Sequence, residues 1–392
     1  MRITFIKLIS IAFLMDIHAQ STIDQVLVQI GMNNKTIQAT TQYYEAAKIQ
    51  FKTGNTPSNP FVEYDYLSGS PANAGNQHDF LIKQQVDFPT SYIKKSQLAS
   101  EQIAQTVFQV TALRQDVLLE AKKYCIQLIY HNRLQAQLNV QKQRTEKILA
   151  DFQTKMEKGD GTILDVNKAK LQLIDIKKQT QENRSAINQL NQKLIELNGG
   201  IEITVKDTIY PMLPTIPEFA QLESDYERVE PILKILQQQR VIHQKQLELS
   251  KAMRLPKIEL GYHYQGILGQ SYHGIHTGIS LPLWENKNTV KHKQAQLLLS
   301  DLELDAHKNE HYYHIKHIYE KYTNLKISLQ EYQAVFPSLN NTALLTKAFD
   351  LGELSTIQYF TELNYYSQSL TNYLQTERDY YETIAELYKY QL

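Results

Sequence analysis

The residues best suited to chemistry lie in one stretch, His307-Lys-Asn-Glu-His-Tyr-Tyr-His-Ile-Lys-His317. Eight of the twelve histidines fall between positions 263 and 317. At about 100° per residue on a helix, His307, His311, His314 and His317 share roughly a third of the circumference. Neutral imidazoles at such spacing suit borderline metal ions, with chelating pairs at 307/311 or 311/314. The same spacing also describes an ordinary solvated helix face. A second group of polar residues gathers around two glycines, in "MEKGDGTILD" and "FDLGELSTIQ". Asp160, Asp165, Asp350 and Glu353 flank them, and Thr162 and Ser355 have the side chains of helix N-caps. No HExxH, P-loop, GxSxG or cysteine pair is present, so no sequence motif points to an enzyme or a cofactor.

These groups need elements to hold them. Only 14 glycines and 11 prolines occur in 392 residues, which predicts long uninterrupted elements. The balance of 41 basic and 41 acidic residues argues against nucleic acid as a partner. Arg2 and Lys7 flank the start of an apolar run from Ile3 to Met15, and "IHA" precedes Gln20. That pattern reads as a signal peptide over residues 1–19. Tyrosine is abundant, at 25 against one Trp, and suits surfaces apolar at one end and wet at the other. Cys125 has no partner cysteine and reads as a small packing residue.

The glycine groups recur at a fixed offset. Pro89 and Pro282 are 193 positions apart, as are Gly159 and Gly352, Thr162 and Ser355, and Leu164 and Ile357. A repeat of this kind outranks other sequence signals. Residues 20–198 and 218–392 are therefore expected to be two repeats joined by an irregular linker at 199–217. Each holds a first helix (22–52 and 218–253), a strand pair, a long helix (90–158 and 285–351) and a return helix (162–198 and 355–390). Pro89 and Pro282 would mark the passage from strand to helix. A seam through Ile103, Val107, Val110, Val117, Ala121, Tyr124 and Leu128 implies a heptad contact along the first long helix. Rods of roughly 100 Å bury too little alone, so each return helix should pack antiparallel on its rod.

The strand pairs, 60–68 with 78–88 and 257–265 with 274–283, alternate with period two. Val62, Tyr64, Tyr66, Phe80, Ile82, Val86, Phe88, Ile258, Leu260, Tyr262, Tyr264, Ile275, Thr277, Ile279 and Leu281 share the apolar parity. Glu63, Asp65, Lys83, Gln85, Asp87, Glu259, His263 and His276 take the other. Loops rich in Gly, Ser and Asn at 69–77 and 266–273 join the pairs. A small sheet on a core and a transmembrane barrel with its apolar side outward both fit this pattern. Four strands cannot close a barrel, so the membrane reading requires several chains.

The duplicated order, the strand-ending "FP" and "LPLWENKN", and the Gly159/Thr162 and Gly352/Ser355 turns resemble the TolC family of outer-membrane efflux proteins over essentially the whole mature chain. "DFPTSY" is similar to the heavy-metal efflux subgroup. The resemblance implies a mainly α fold with transmembrane β. Long antiparallel helices would form an α-barrel, and a homotrimer would contribute four strands per chain to a 12-stranded barrel. It implies location in the bacterial outer membrane with a periplasmic helical extension, a periplasmic adaptor, and an inner-membrane pump of the RND type. Gly159, Asp160, Thr162, Asp165, Phe349, Asp350, Gly352, Glu353 and Ser355 would then form the gate or adaptor contact, where acids favour cations. No cofactor follows, and the cargo expected is metal cations or small toxic molecules. A type I protein-secretion duct and a secreted coiled-coil scaffold or adhesion protein are the alternatives.

Overall fold

The computed structural model describes residues 22–336 and 341–392. The expected signal peptide, residues 1–19, and Pro337, the one proline within the expected 285–351 helix, lie outside them. Nine α-helices and four strands are present among the described residues. In chain order they are α1 (Thr22–Asn33), α2 (Lys35–Gln50), β1 (Phe61–Ser68), β2 (Asn76–Val86), α3 (Pro89–Glu157) and α4 (Ile163–Leu197). After the connection come α5 (Phe219–Val229), α6 (Pro231–Ala252), β3 (Lys257–Ile267), β4 (Gln270–Ser280), α7 (Thr289–Val335), α8 (Asn341–Asp350) and α9 (Thr356–Leu387). No described helix is long and apolar enough to cross a membrane.

The chain forms two compact units. The first comprises residues up to Asn33, Ala121–Leu213 and Thr342–Arg378. Ile30, Ala121, Cys125, Leu128 and Leu194 are fully buried within it. Burial raises the Cys125 thiol pKa to about 12, so this cysteine is an inert packing residue. Side chains tie the helices to one another and to the connection. The His131 ring and the Asn183 side-chain oxygen are 2.6 Å apart, and the Asn183 amide donates to His131 O. The Asn132 amide donates to the carbonyls of Val205 and Asp207, fixing the irregular 199–213 segment on α3.

The second unit comprises Asn34–Glu120, Pro214–Asn341 and Asp379–Leu392. Leu118, Leu222, Leu233, Ile315 and Leu387 form part of its buried core. Here α3 packs on α6 through polar contacts: Lys94 pairs with Glu248 at 2.8 Å, and the Gln105 amide reaches Ile235 O and Gln239 Oε1. The expected seam is interrupted at this level, for Val107 is 56% exposed while Gln105 and Thr106 are buried. Both polar side chains are satisfied, Gln105 as above and Thr106 by Ile103 O, so their burial carries no unpaired group.

The two first helices are each broken. Asn34 interrupts the expected 22–52 helix and caps α2, its side-chain oxygen accepting from Ile37 N at 2.9 Å. Glu230 interrupts 218–253, accepting from Leu233 N at 2.7 Å, and Pro231 follows as the first residue of α6. Proline has no N–H to continue the preceding helix and suits a helix start. The second long helix begins at Thr289, later than position 285, because Asn288 takes a left-handed conformation (φ +65°).

The four strands make a single antiparallel sheet, β1-β2-β3-β4. Strands β3 and β4 run further than their alternation suggested. They meet in a two-residue turn, Leu268 and Gly269, both at positive φ, where a loop over 266–273 was expected. Such a turn matches strand twist and holds the hairpin in register.

Candidate functional site

Register places cross-strand rows on each face of the sheet. On one face Val62, Ile82, Tyr262 and Ile275 lie side by side, as do Tyr64, Phe80 and Tyr264 with His273 and, nearer the base, Val86, Ile258 and Ile279, with Gln84, Leu260 and Thr277 as the row between. This face is unburied: Tyr64 is 60% exposed, Ile275 85% and Ile279 72%. A soluble monomer rarely exposes so extensive an apolar surface. The opposite face is polar. Lys83, Glu259 and His276 form a linked set there, with Lys83 to Glu259 at 3.5 Å and His276 to Glu259 at 2.9 Å. Asp65 and Asp79 stand directly opposite each other on the same face. The outer edges, β1 and β4, have no strand partner among the described residues.

The two glycine turns are built alike, bond for bond. Gly159 N donates to Met156 O and Asp160 N to Lys155 O; Gly352 N donates to Phe349 O and Glu353 N to Ala348 O. Each is a Schellman closure with glycine at positive φ, +82° and +77°. A cap follows three residues later. Thr162 Oγ1 accepts from Asp165 N and donates to Asp165 Oδ2, and Ser355 Oγ accepts from Gln358 N while Gln358 Oε1 takes Ser355 N. The Thr162 hydroxyl holds the Asp165 carboxyl below its ordinary pKa, so Asp165 stays ionised and serves the cap. Asp160, Asp350 and Glu353 are exposed and free to present charge.

Beneath these turns lies a cluster that the alternation of sequence did not single out. Ile148, Phe152, Val166, Ala169, Tyr359, Phe360 and Leu363 are buried together, with Phe349 packed against them. Phe349 stacks on Tyr359 at 4.5 Å and meets Phe152 edge-on at 5.8 Å. The two turns, 193 positions apart in sequence, are thereby brought onto one aromatic core. Gly161 was also missed: a Cβ there would lie 2.8 Å from Met156 N.

Three of the four histidines reach one hollow, and His317 does not. His307 and His311 lie 5.9 Å apart by ring centroids, in a hollow of about 480 Å³ that also reaches His314 and Tyr226. His307 Nε2 is 3.3 Å from Glu230 Oε2, and the His311 ring lies tilted at 52° to Tyr226, 4.9 Å between centroids. His317 borders a separate hollow. Among the described residues no three His, Cys, Asp or Glu side chains are placed to hold a metal ion. His311 is held below its ordinary pKa by burial first, with Glu230 acting against that and His307 and His314 with it.

Pro89 opens α3 directly, three residues after β2 ends. Pro282 instead enters a two-turn segment, with Lys287 N bonded to Trp284 O and Thr289 N to Asn286 O.

Solved structures share this arrangement. CusC, whose structures concern folding and transmembrane channel formation, matches with a TM-score of 0.79 at 11% identity over 94% of this chain and 91% of that one. The CmeC outer membrane channel of Campylobacter jejuni matches with a TM-score of 0.70 at 15% identity, covering 94% and 85%. The outer membrane protein VceC of Vibrio cholerae gives 0.69 at 13% identity, covering 94% of each chain. The chain has the fold of TolC-type outer-membrane channels. Neither protein-family models nor curated proteins give a match. In the terms of this channel fold, the exposed apolar rows belong to its strand sheet, and the paired Schellman turns close its helical hairpins.

Proposed function

We propose that this chain is a TolC-family protein, one subunit of a passive trimeric exit duct across the outer membrane and periplasm. The observation that carries the reading is the sheet: one apolar, exposed face with two unpaired outer edges. Open edges are not tolerated in lipid, whereas β4 of one copy beside β1 of the next removes them. Three copies supply twelve strands, with the Lys83, Glu259 and His276 face turned to the lumen. The matched repeats then serve as staves of equal length. The paired turns at 152–165 and 345–356 form the gate and the contact with a periplasmic adaptor, which connects to an RND-type inner-membrane pump. Metal cations or small toxic molecules are the proposed cargo, tested by the copper, zinc, cobalt, dye and detergent sensitivity of a deletion strain.

The duct is tested by single arginines on either side of the sheet. Tyr262→Arg and Ile279→Arg put a charge on the lipid face, at a cost of about 2–4 kcal/mol per subunit at midplane and less toward the base. His263→Arg puts the same charge on the opposite face. The first two should fail to assemble in the outer membrane while the third assembles. Normal membrane trimers of Tyr262→Arg, or soluble trimers of both lipid-face variants, would overturn the duct.

A further inference from the structure

The protein has one tryptophan, Trp284, and it is 79% exposed. It sits in the segment between β4 and α7, flanked by Leu281 at 62% and Leu283 at 68% exposure. This exposure is not that of a loose loop. Glu285, the next residue, pairs with Lys257 at the start of β3 at 3.0 Å. The Asn286 amide donates to Met253 O, at the C-terminus of α6, at 2.7 Å. Two contacts thus hold the backbone on either side of the helix-to-strand junction, and the indole between the strand and those contacts is left uncovered.

Its position in the sheet says what should cover it. Lys257 pairs with Ser280, so the segment leaves from the base edge, where helices α6 and α7 meet β3 and β4. Ile275 and Ile279 lie on the exposed apolar face, and Leu281 continues their period-two series past the end of the strand. The apolar parity, interrupted by Gln84 and Thr277, thus continues from Ile275 and Ile279 to Leu281, three residues before Trp284. Beside it the charge is one-sided. Lys251, Arg254, Lys257, Lys287, Lys291 and Lys293 lie within the flanking segments 251–257 and 284–293, against Glu285 alone. An indole at the end of an apolar face, bordered by basic side chains, matches the boundary between acyl chains and anionic headgroups.

We propose that Leu281, Leu283 and Trp284 form an interfacial anchor. Resting on the duct reading, it places the base of the sheet at the headgroup level of the periplasm-facing phospholipid leaflet. Trp284 would set the depth at which the strands stop and the helices begin.

The sole tryptophan makes the test direct. The full-length protein is reconstituted in vesicles of phosphatidylcholine and phosphatidylglycerol, with bromine on the lipid chains either near the headgroup or near the bilayer centre. Emission of Trp284 should shift to the blue on reconstitution. Bromine near the headgroup should quench it about two-fold more than bromine near the centre. A second protein, Trp284→Phe with Tyr262→Trp, reports on the mid-sheet and should show the reverse order. Quenching of the Tyr262→Trp protein without quenching of Trp284 overturns the anchor and leaves the duct standing. Strong quenching of Trp284 by aqueous iodide, or blue-shifted emission insensitive to either bromolipid, places the indole in water or against protein and also overturns it. If neither protein is quenched by bromolipid, the membrane reading of the sheet fails as well.

Discussion

Arg133 and Glu377 form a side-chain ion pair across 244 positions of sequence, and the guanidinium also lies 5.9 Å from the Tyr210 and Tyr373 ring centres. Burial still lifts the Glu377 pKa, with Arg133 pulling against it. A carboxyl with a raised folded pKa adds stability that is present below its ordinary value and lost as pH rises through the folded one. Arg133→Met should strand this carboxyl and cost about 2–3 kcal/mol, less than a fully buried pair because Arg133 is partly exposed. Adding Glu377→Leu should restore most of the loss, read as denaturant midpoints of the single and double variants. His311 works in the opposite direction on the pH axis. Its lowered pKa means that the unfolded chain takes up protons first as pH falls below about 6.5, so stability is lost toward acid. Glu227, Glu230, His307, Glu310, His314, Glu386 and Lys389 surround or line its hollow and set the size of the effect. His311→Phe, which keeps a ring against Tyr226, should flatten the loss of thermal stability between pH 7 and 5. Half-buried His131, also lowered chiefly by burial, should supply the remaining slope. An unchanged pH profile would remove His311 as the source.

At the scale of the element, the turns separate two costs that glycine can avoid. A Cβ on Gly159 or Gly352 meets nothing within 4 Å, so the penalty there is conformational, about 1–2 kcal/mol for holding a side chain at positive φ. Gly161 has no such φ, but a Cβ would press on the backbone of Met156 and Lys155. Gly161→Ala should therefore displace the α3–α4 turn, whereas Gly159→Ala should weaken it in place. Limited proteolysis within residues 155–165 distinguishes these, with faster cleavage expected for Gly161→Ala. The acids at these turns divide by structure as well: Asp165 is engaged in capping, whereas Asp160, Asp350 and Glu353 are exposed.

For the whole molecule, the deciding quantity is surface left uncovered. The sheet leaves its apolar rows exposed and carries ion pairs on the other face, whereas a sheet laid on a soluble core buries its apolar face. The arginine variants on the two faces and the fluorescence of Trp284 test that inversion independently. One reads assembly and the other reads depth. If both hold, the same sheet gives the chain its place in the membrane and its need for neighbouring copies.

The sequence by itself determined what depends on near neighbours. Strand alternation, the glycine-to-cap spacing of three residues and the helical character of the long segments all arise from local sterics and local hydrogen bonds. Only the tertiary structure decided which distant groups meet. Helix periodicity names a face and not its partner, so Phe152 against Phe349, Glu230 against His307 and Arg133 against Glu377 were hidden. The histidine stripe shows the limit most plainly. Its spacing was correct for one helix face, yet that face meets a cap, a tyrosine and two separate hollows. Closure of a metal site depends on donors from other elements, and their placement is set by packing.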